Sequence, residues 1–175
     1  MPRRFSARGM VDDRAAEYLE SVSSQLERGA AQAPFLILHG PPGTGKTTTA
    51  CGILMACLEH RMGHFEQASS MLEAVKDEFG VPGAKMATLR GTAVLAIDDL
   101  DKARLTEWSV ERLYEIVDKR HMDRKPTIVT MNQTVGAWVK RVAAVADRET
   151  AFAIGDRLAD AENVVIEFSG RSMRR

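Results

Sequence analysis

One segment, Gly40-Pro41-Pro42-Gly43-Thr44-Gly45-Lys46-Thr47, constrains this chain more than any other feature. It satisfies the pattern G-x-x-x-x-G-K-[ST], whose parts have separate physical jobs. Gly43 and Gly45 allow backbone conformations closed to residues with a Cβ, and they let the main chain approach phosphates closely. Successive N–H groups then form an anion nest at a helix N-terminus. Lys46 is placed to reach the β- and γ-phosphates, and Thr47 offers a hydroxyl to Mg²⁺. These eight residues and the next, Thr48, are the expected cradle for ATP.

The motif requires a strand before it and a helix behind it. Phe35-Leu36-Ile37-Leu38 is a short apolar run closed by Gly40, which reads as a buried strand. Residues 46–60 set Ala50, Ile53, Leu54, Cys57 and Leu58 on one helical face. The rest of the chain alternates in the same way. A helix is expected over 12–28, with Tyr18, Leu19, Val22 and Leu26 at helical spacing, and a break from Gly29 to Pro34. Further strands are expected at 63–68, 93–97, 127–130 and 164–168, and helices at 69–79, 135–147 and 149–159. Thr106 caps another helix running to about His121, with Val110, Leu113, Tyr114 and Val117 inward. Largely apolar strands alternating with helices predict an α/β fold: a parallel sheet covered on both faces, the αβα layering of P-loop NTPases. With 175 residues, one domain over 12–175 behind a basic arm at 1–11 is the expected organisation.

Composition removes several function classes. Basic and acidic residues balance at 24 each, so no global field announces nucleic acid, although a local patch stays open. No stretch approaches the ~18 apolar residues that span a bilayer, and MPRRFSARGM has no apolar run behind its charges to act as a secretory signal. Cys51 and Cys57 fall on different faces of one helix, which predicts free thiols in a reducing, cytoplasmic compartment.

Two aspartates end the strand over 93–97. Asp98, at the tip of a buried strand beside the phosphate loop, is the candidate to hold Mg²⁺, and Asp99 to orient or deprotonate the attacking water. The plainer alternative is a solvated turn. Asn132 follows the 127–131 strand, whose end lies on the same sheet edge as the loop, and its amide could position that water. A turn role fits Asn132 equally well. Arg157 lies late in the last helix, but spacing alone does not separate it from the other basic residues. His39 reads as packing, and His60, His64 and His121 show no ligand spacing. Trp108, Trp138, Met55, Met71 and Met131 read as core.

The order GPPGTGKT, AVLAIDDLDK, TEWSVERLYEIVDKRH, KPTIVTMNQ and IGDRLADAENVVIEFSGRSMR resembles the AAA+ ATPases of the DnaC/DnaI helicase-loader clade and their IstB-type transposition relatives. The resemblance implies a five-stranded core in the order 5-1-4-3-2 without a helical lid. It implies that Asn132 is the sensor-1 residue, and that Arg157, in Asp156-Arg157-Leu158, is an arginine finger acting in trans on a neighbouring copy's ATP. The ending Gly170-Arg171-Ser172-Met173-Arg174 is similar to the family's closing motif, with Met173 in place of an aromatic residue. Asp101 stands where many relatives have glycine. Only about 34 residues precede the first strand, short of the partner-gripping domain that members usually carry, so a stand-alone motor core is expected, phage-borne or a fragment.

The expectation is therefore a homo-oligomeric, loader-type ATPase of DNA replication that uses ATP and Mg²⁺ to act on a replicative helicase and single-stranded DNA. The alternative is a transposition ATPase that binds duplex DNA and recruits a transposase. A small-molecule kinase and a non-hydrolysing scaffold are the rivals from other classes. Lys76, Lys85 and Arg90 lie where the clade carries a DNA-binding helix, with solvated surface charge the equal alternative.

Overall fold

The computed structural model describes residues 12–29, 32–59, 63–77 and 81–169. The proposed arm at 1–11, His60 and the closing segment from Gly170 to Arg174 lie outside them. Among the described residues five strands carry the fold: β1 (Phe35–His39), β2 (Gly63–Gln67), β3 (Val94–Asp98), β4 (Thr127–Met131) and β5 (Val164–Glu167). They form one sheet in the order β2-β3-β4-β1-β5, the expected 5-1-4-3-2 read from its other edge. Every pairing is parallel. β4 is therefore inserted between β1 and β3, and the register sets Leu38 beside Thr130 and Ile97 beside Val129. All C-terminal strand ends open on one edge of the sheet.

Among the described residues seven α-helices cover the two faces: α1 (Asp13–Glu27), α2 (Lys46–Leu58), α3 (Ala68–Lys76), α4 (Ala84–Gly91), α5 (Glu107–Met122), α6 (Val135–Val142) and α7 (Arg148–Leu158). Period-2 alternation in the strands divides the core. Leu36, Leu38, Ala96, Ile128 and Ile166 pack under α1 and α2. Phe35, Ile37, Leu95, Ile97, Val129 and Met131 pack under α3 to α7, where Trp138 and Ile116 are fully buried. Each large apolar side chain removed from water contributes about 1.5–3 kcal/mol. Asp12, Thr106, Thr134 and Asp147 cap α1, α5, α6 and α7 with side-chain oxygens, and Thr106 forms a capping box with Ser109.

Several expectations change. One helix was expected at 69–79, but a second, α4, also stands before β3. The helix expected over 135–147 stops at Val142, since Asp147 caps a fresh helix. Met55 is 63% exposed and Leu58 46% exposed. At 100° per residue, Met55 lies roughly 140° round α2 from Ala50, on the outer face, and Leu58 lies on the rim of the buried stripe. Trp108 is 38% exposed because the first turn of α5 faces a cleft beside α3. Tyr114 is half-buried.

Arg120 carries a structural role the sequence did not announce. Its guanidinium is fully buried. It donates to Thr127 Oγ1 (2.8 Å), Leu89 O (3.0 Å), Thr92 O (2.9 Å) and Pro126 O (2.7 Å). Burial pushes its pKa down to about 10, still charged at neutral pH. The charge is met by carbonyl and hydroxyl dipoles, and it fastens α5 to the ends of α4 and the start of β4. Asn163 does similar work nearby: its Oδ1 accepts from Phe35 N (2.9 Å) and its Nδ2 donates to Arg157 O (2.8 Å).

Candidate functional site

The loop after β1 turns on glycines. Gly40 has φ 137°, and a Cβ there would lie 2.1 Å from Phe168 O, so the end of β5 leaves no room for a side chain. Gly45 has φ 99° at the start of α2, whose N-terminus carries no side-chain cap and keeps its N–H groups for an anion. Thr44 Oγ1 donates to Pro41 O (2.8 Å) and closes the loop. Lys46 is buried, with Nζ donating to Gly40 O and Pro41 O, both at 2.8 Å. Desolvation holds its pKa below the usual lysine value, opposed by the charges of Asp99 and Asp101.

Strand order brings the second half of the site to this loop. Thr47 Oγ1 donates to Asp98 Oδ1 (2.8 Å), joining the start of α2 to the tip of β3. Thr130 Oγ1, on the inserted strand β4, donates to the same oxygen at 2.6 Å. It also accepts Asp99 N–H at 2.9 Å. Asp99 takes the left-handed conformation, φ 52°, a strained setting for a non-glycine residue. Its carboxylate is held from two sides: Lys102 Nζ lies 2.6 Å from Oδ2, and Asn132 Nδ2 lies 3.5 Å from Oδ1. Asn132 N–H donates to Asp101 Oδ2 (3.0 Å).

A cavity of about 220 Å³ opens here, lined by Pro42, Gly43, Gly45, Lys46, Thr47, Thr48, Asp99, Lys102 and Asn132. It is smaller than the clefts of 390 and 540 Å³ elsewhere on the molecule, but among these three it alone joins the phosphate loop to the Asp99 carboxylate. Thr47 and Asp98 present a hydroxyl and a carboxylate to one point, hard oxygen donors that suit Mg²⁺. Lys46, Asp99 and Asn132 border the space in front of them. Arg157 is not brought into this cavity. It sits on α7 with Nε 3.1 Å from Asp118 Oδ1 on α5, about a third exposed.

Thr130, Asp101 and Lys102 join the site although their roles were not read from sequence. Thr130 follows from register: the β3–β4 pairing runs Leu95–Thr127, Ala96–Ile128, Ile97–Val129, and its next step sets Asp98 beside Thr130. Of the three cations considered for DNA, Lys85 pairs with Glu66 (2.6 Å) and Arg90 with Glu115 (3.5 Å). Lys76 lines the 390 Å³ cleft together with Arg104 and Trp108. Among the described residues no helix is long and apolar enough to cross a membrane, and no cluster of three His, Cys, Asp or Glu residues is arranged to hold a metal.

A family model described as "IstB-like ATP binding protein" matches residues 5–175. Among curated proteins, the phage-like element PBSX protein XkdC of Bacillus subtilis (strain 168) is 29% identical over 121 residues, covering 65% of this chain and 45% of that protein. A putative ATP-binding protein in an insertion sequence, Rv3427c of Mycobacterium tuberculosis (strain ATCC 25618 / H37Rv), is 31% identical over 107 residues, 59% of this chain and 42% of that protein. The chain thus spans about half the length of the curated relatives it matches. A crystal structure of DnaI superposes with a TM-score of 0.77 at 22% identity, covering 99% of this chain and 94% of that one. A crystal structure of the DnaC helicase loader does so at 0.68 and 22%, covering 95% and 99%.

Proposed function

Because this chain belongs to the IstB-like ATP binding protein family, we propose that it is an Mg²⁺-dependent ATPase that uses its nucleotide state to load a replicative helicase onto single-stranded DNA. The observation that carries the ATPase reading is the continuous hydrogen-bonded line Thr47–Asp98–Thr130–Asp99, with Asn132 at its end, in front of the phosphate loop. Lys46 exchanges its two loop carbonyls for the β- and γ-phosphates. Thr47 and Asp98 would hold Mg²⁺, which would supply charge neutralisation to the phosphates. Asp99 orients the attacking water, and Asn132 sets Asp99 and the γ-phosphate in line.

Arg157 lies outside its own chain's cavity and is partly exposed, which favours action on the ATP of a neighbouring copy across a subunit interface. A homo-oligomer is therefore part of the proposal. The likeness to DnaI and to the DnaC helicase loader supports a helicase as partner. The cleft of Lys76, Arg104 and Trp108 offers two cations and an exposed aromatic face, which suit the phosphates and bases of single-stranded DNA. The second reading, a transposition ATPase on duplex DNA that recruits a transposase, is favoured by the insertion-sequence relative.

The test deposits the host's replicative helicase on closed circular single-stranded DNA with and without this protein. ATP-dependent stimulation is expected. No stimulation, together with ATP-dependent coating of duplex DNA and co-purification of a transposase, would transfer the assignment to the second reading.

A further inference from the structure

We infer that Asp101 is a positioning residue that fixes the approach of Asn132 to Asp99; the inference rests on the ATPase reading above. Asp101 belongs to the 3₁₀ turn Leu100–Lys102, which begins immediately after Asp99. Its side chain crosses to the turn that follows β4. Oδ2 accepts Asn132 N–H at 3.0 Å and the Gln133 side-chain amide at 3.4 Å. Its main-chain carbonyl accepts Arg141 Nη1 from α6 at 3.1 Å. One residue thus ties the turn carrying Asp99 to the turn carrying Asn132 and to the helix behind it.

Burial shows that this is more than a solvated turn former. Asp101 is 7% exposed, and Oδ1 is buried with no hydrogen-bond partner among the described residues. Its side chain is in no ion pair found among those residues. A carboxylate held in this way costs stability. What the protein obtains for that cost is a fixed main-chain position for Asn132. The Asn132 Nδ2 to Asp99 Oδ1 contact, at 3.5 Å, is at the long limit of a hydrogen bond, so a further displacement of about 1 Å would break it. With Oδ2 in place, the two turns move together. Without it, Asn132 is free to swing from the candidate base.

The experiment is a double-mutant cycle of Asp101→Ala and Asn132→Ala, read as kcat at saturating ATP, as Kd for ADP, and as the ratio of affinities for a non-hydrolysable ATP analogue and ADP. Asp101→Ala is expected to lower kcat by up to about 100-fold, the scale on which a misplacement of about 1 Å acts, while Kd for ADP stays within twofold. In the Asn132→Ala background the same substitution is expected to add no further loss, since the residue it acts through is gone. The affinity ratio repeats the pattern without turnover. Equal losses in both backgrounds, or a parental kcat in Asp101→Ala, would overturn the assignment. Asp101→Asn keeps an acceptor for Asn132 N–H and serves if the alanine variant does not fold. It is expected to stay within about threefold of the parent, and a tenfold loss there would also overturn the positioning role. A parent chain without turnover would refute the ATPase reading, whereas equal losses in an active parent refute only the role of Asp101.

Discussion

Replacing Thr130 by valine removes one buried hydroxyl and keeps the shape of the side chain. That hydroxyl is fully buried, donates to Asp98 at 2.6 Å and accepts from Asp99 N–H at 2.9 Å. A hydrogen bond to a charged group contributes about 1.5–3 kcal/mol, and a buried N–H left without an acceptor costs about 1–3 kcal/mol. Both bonds share one atom and relax together, so the expected loss is about 3 kcal/mol rather than the upper sum. For a protein of this length each kcal/mol moves Tm by about 2–4 °C, so Thr130→Val should melt roughly 6–12 °C below the parent. Urea unfolding should show a lower midpoint with an unchanged slope. Asp98 keeps its bond from Thr47 but loses one of its two constraints, so affinity for Mg·ATP should fall while affinity for metal-free ADP holds. Thr130→Ser retains the hydroxyl and should restore most of both. A stability loss under about 1 kcal/mol with unchanged turnover would refute the reasoning, because it would mean that the hydroxyl joins nothing that matters.

Other outcomes are open to direct measurement. Lys46→Ala should abolish tight ATP binding, read by fluorescent-nucleotide titration, with the circular-dichroism spectrum unchanged. Asp99→Asn should bind ATP at parental affinity and lose turnover; parental hydrolysis would remove Asp99 from the mechanism. Mixing Lys46→Ala with Arg157→Ala protein should partly rescue ATPase activity, and removal of such an arginine alone can cost ~10³-fold. No rescue at any ratio, with assembly verified, would argue against action in trans. Arg120→Ala removes the donor shared by Leu89, Thr92 and Pro126 carbonyls and the Thr127 hydroxyl, and a loss of about 3 kcal/mol by chemical denaturation is expected.

The parts legible in sequence were those set by local pattern. The run Phe35 to Leu38, the glycine loop and the tandem aspartates each require a particular backbone, and the strands and α2 follow from them. Periodicity does not show helix α4, because its eight residues, AKMATLRG, bury only Met86 and Leu89, too few for a periodic stripe; only the family resemblance implies a further helix between the second and third strands. Residue type puts Trp108 and Met55 inward and helical spacing puts Leu58 there, but Trp108 faces a cleft, Met55 lies on the outer face of α2 and Leu58 on the rim of its buried stripe. Thr130, Asp101 and Lys102 were missed for another reason. Their partners are about 30 residues away or on a turn whose shape depends on Asp99 at positive φ. Such relations are made by strand order and register, which a single sequence supplies only after the sheet has been assembled.

The two rims of the sheet differ mechanically. Along the rim where strands begin, Arg120 joins three elements, and Asn163 joins β1 to the end of α7. Those clamps grip main-chain atoms, which have little freedom to yield. At the opposite rim some of the ties run from side chain to side chain: a threonine hydroxyl on an aspartate, a lysine across a turn, and an amide at the limit of its reach. A load applied at that rim is expected to turn the β3 and β4 ends about the base that Arg120 fastens, with the displacement largest farthest from Arg120.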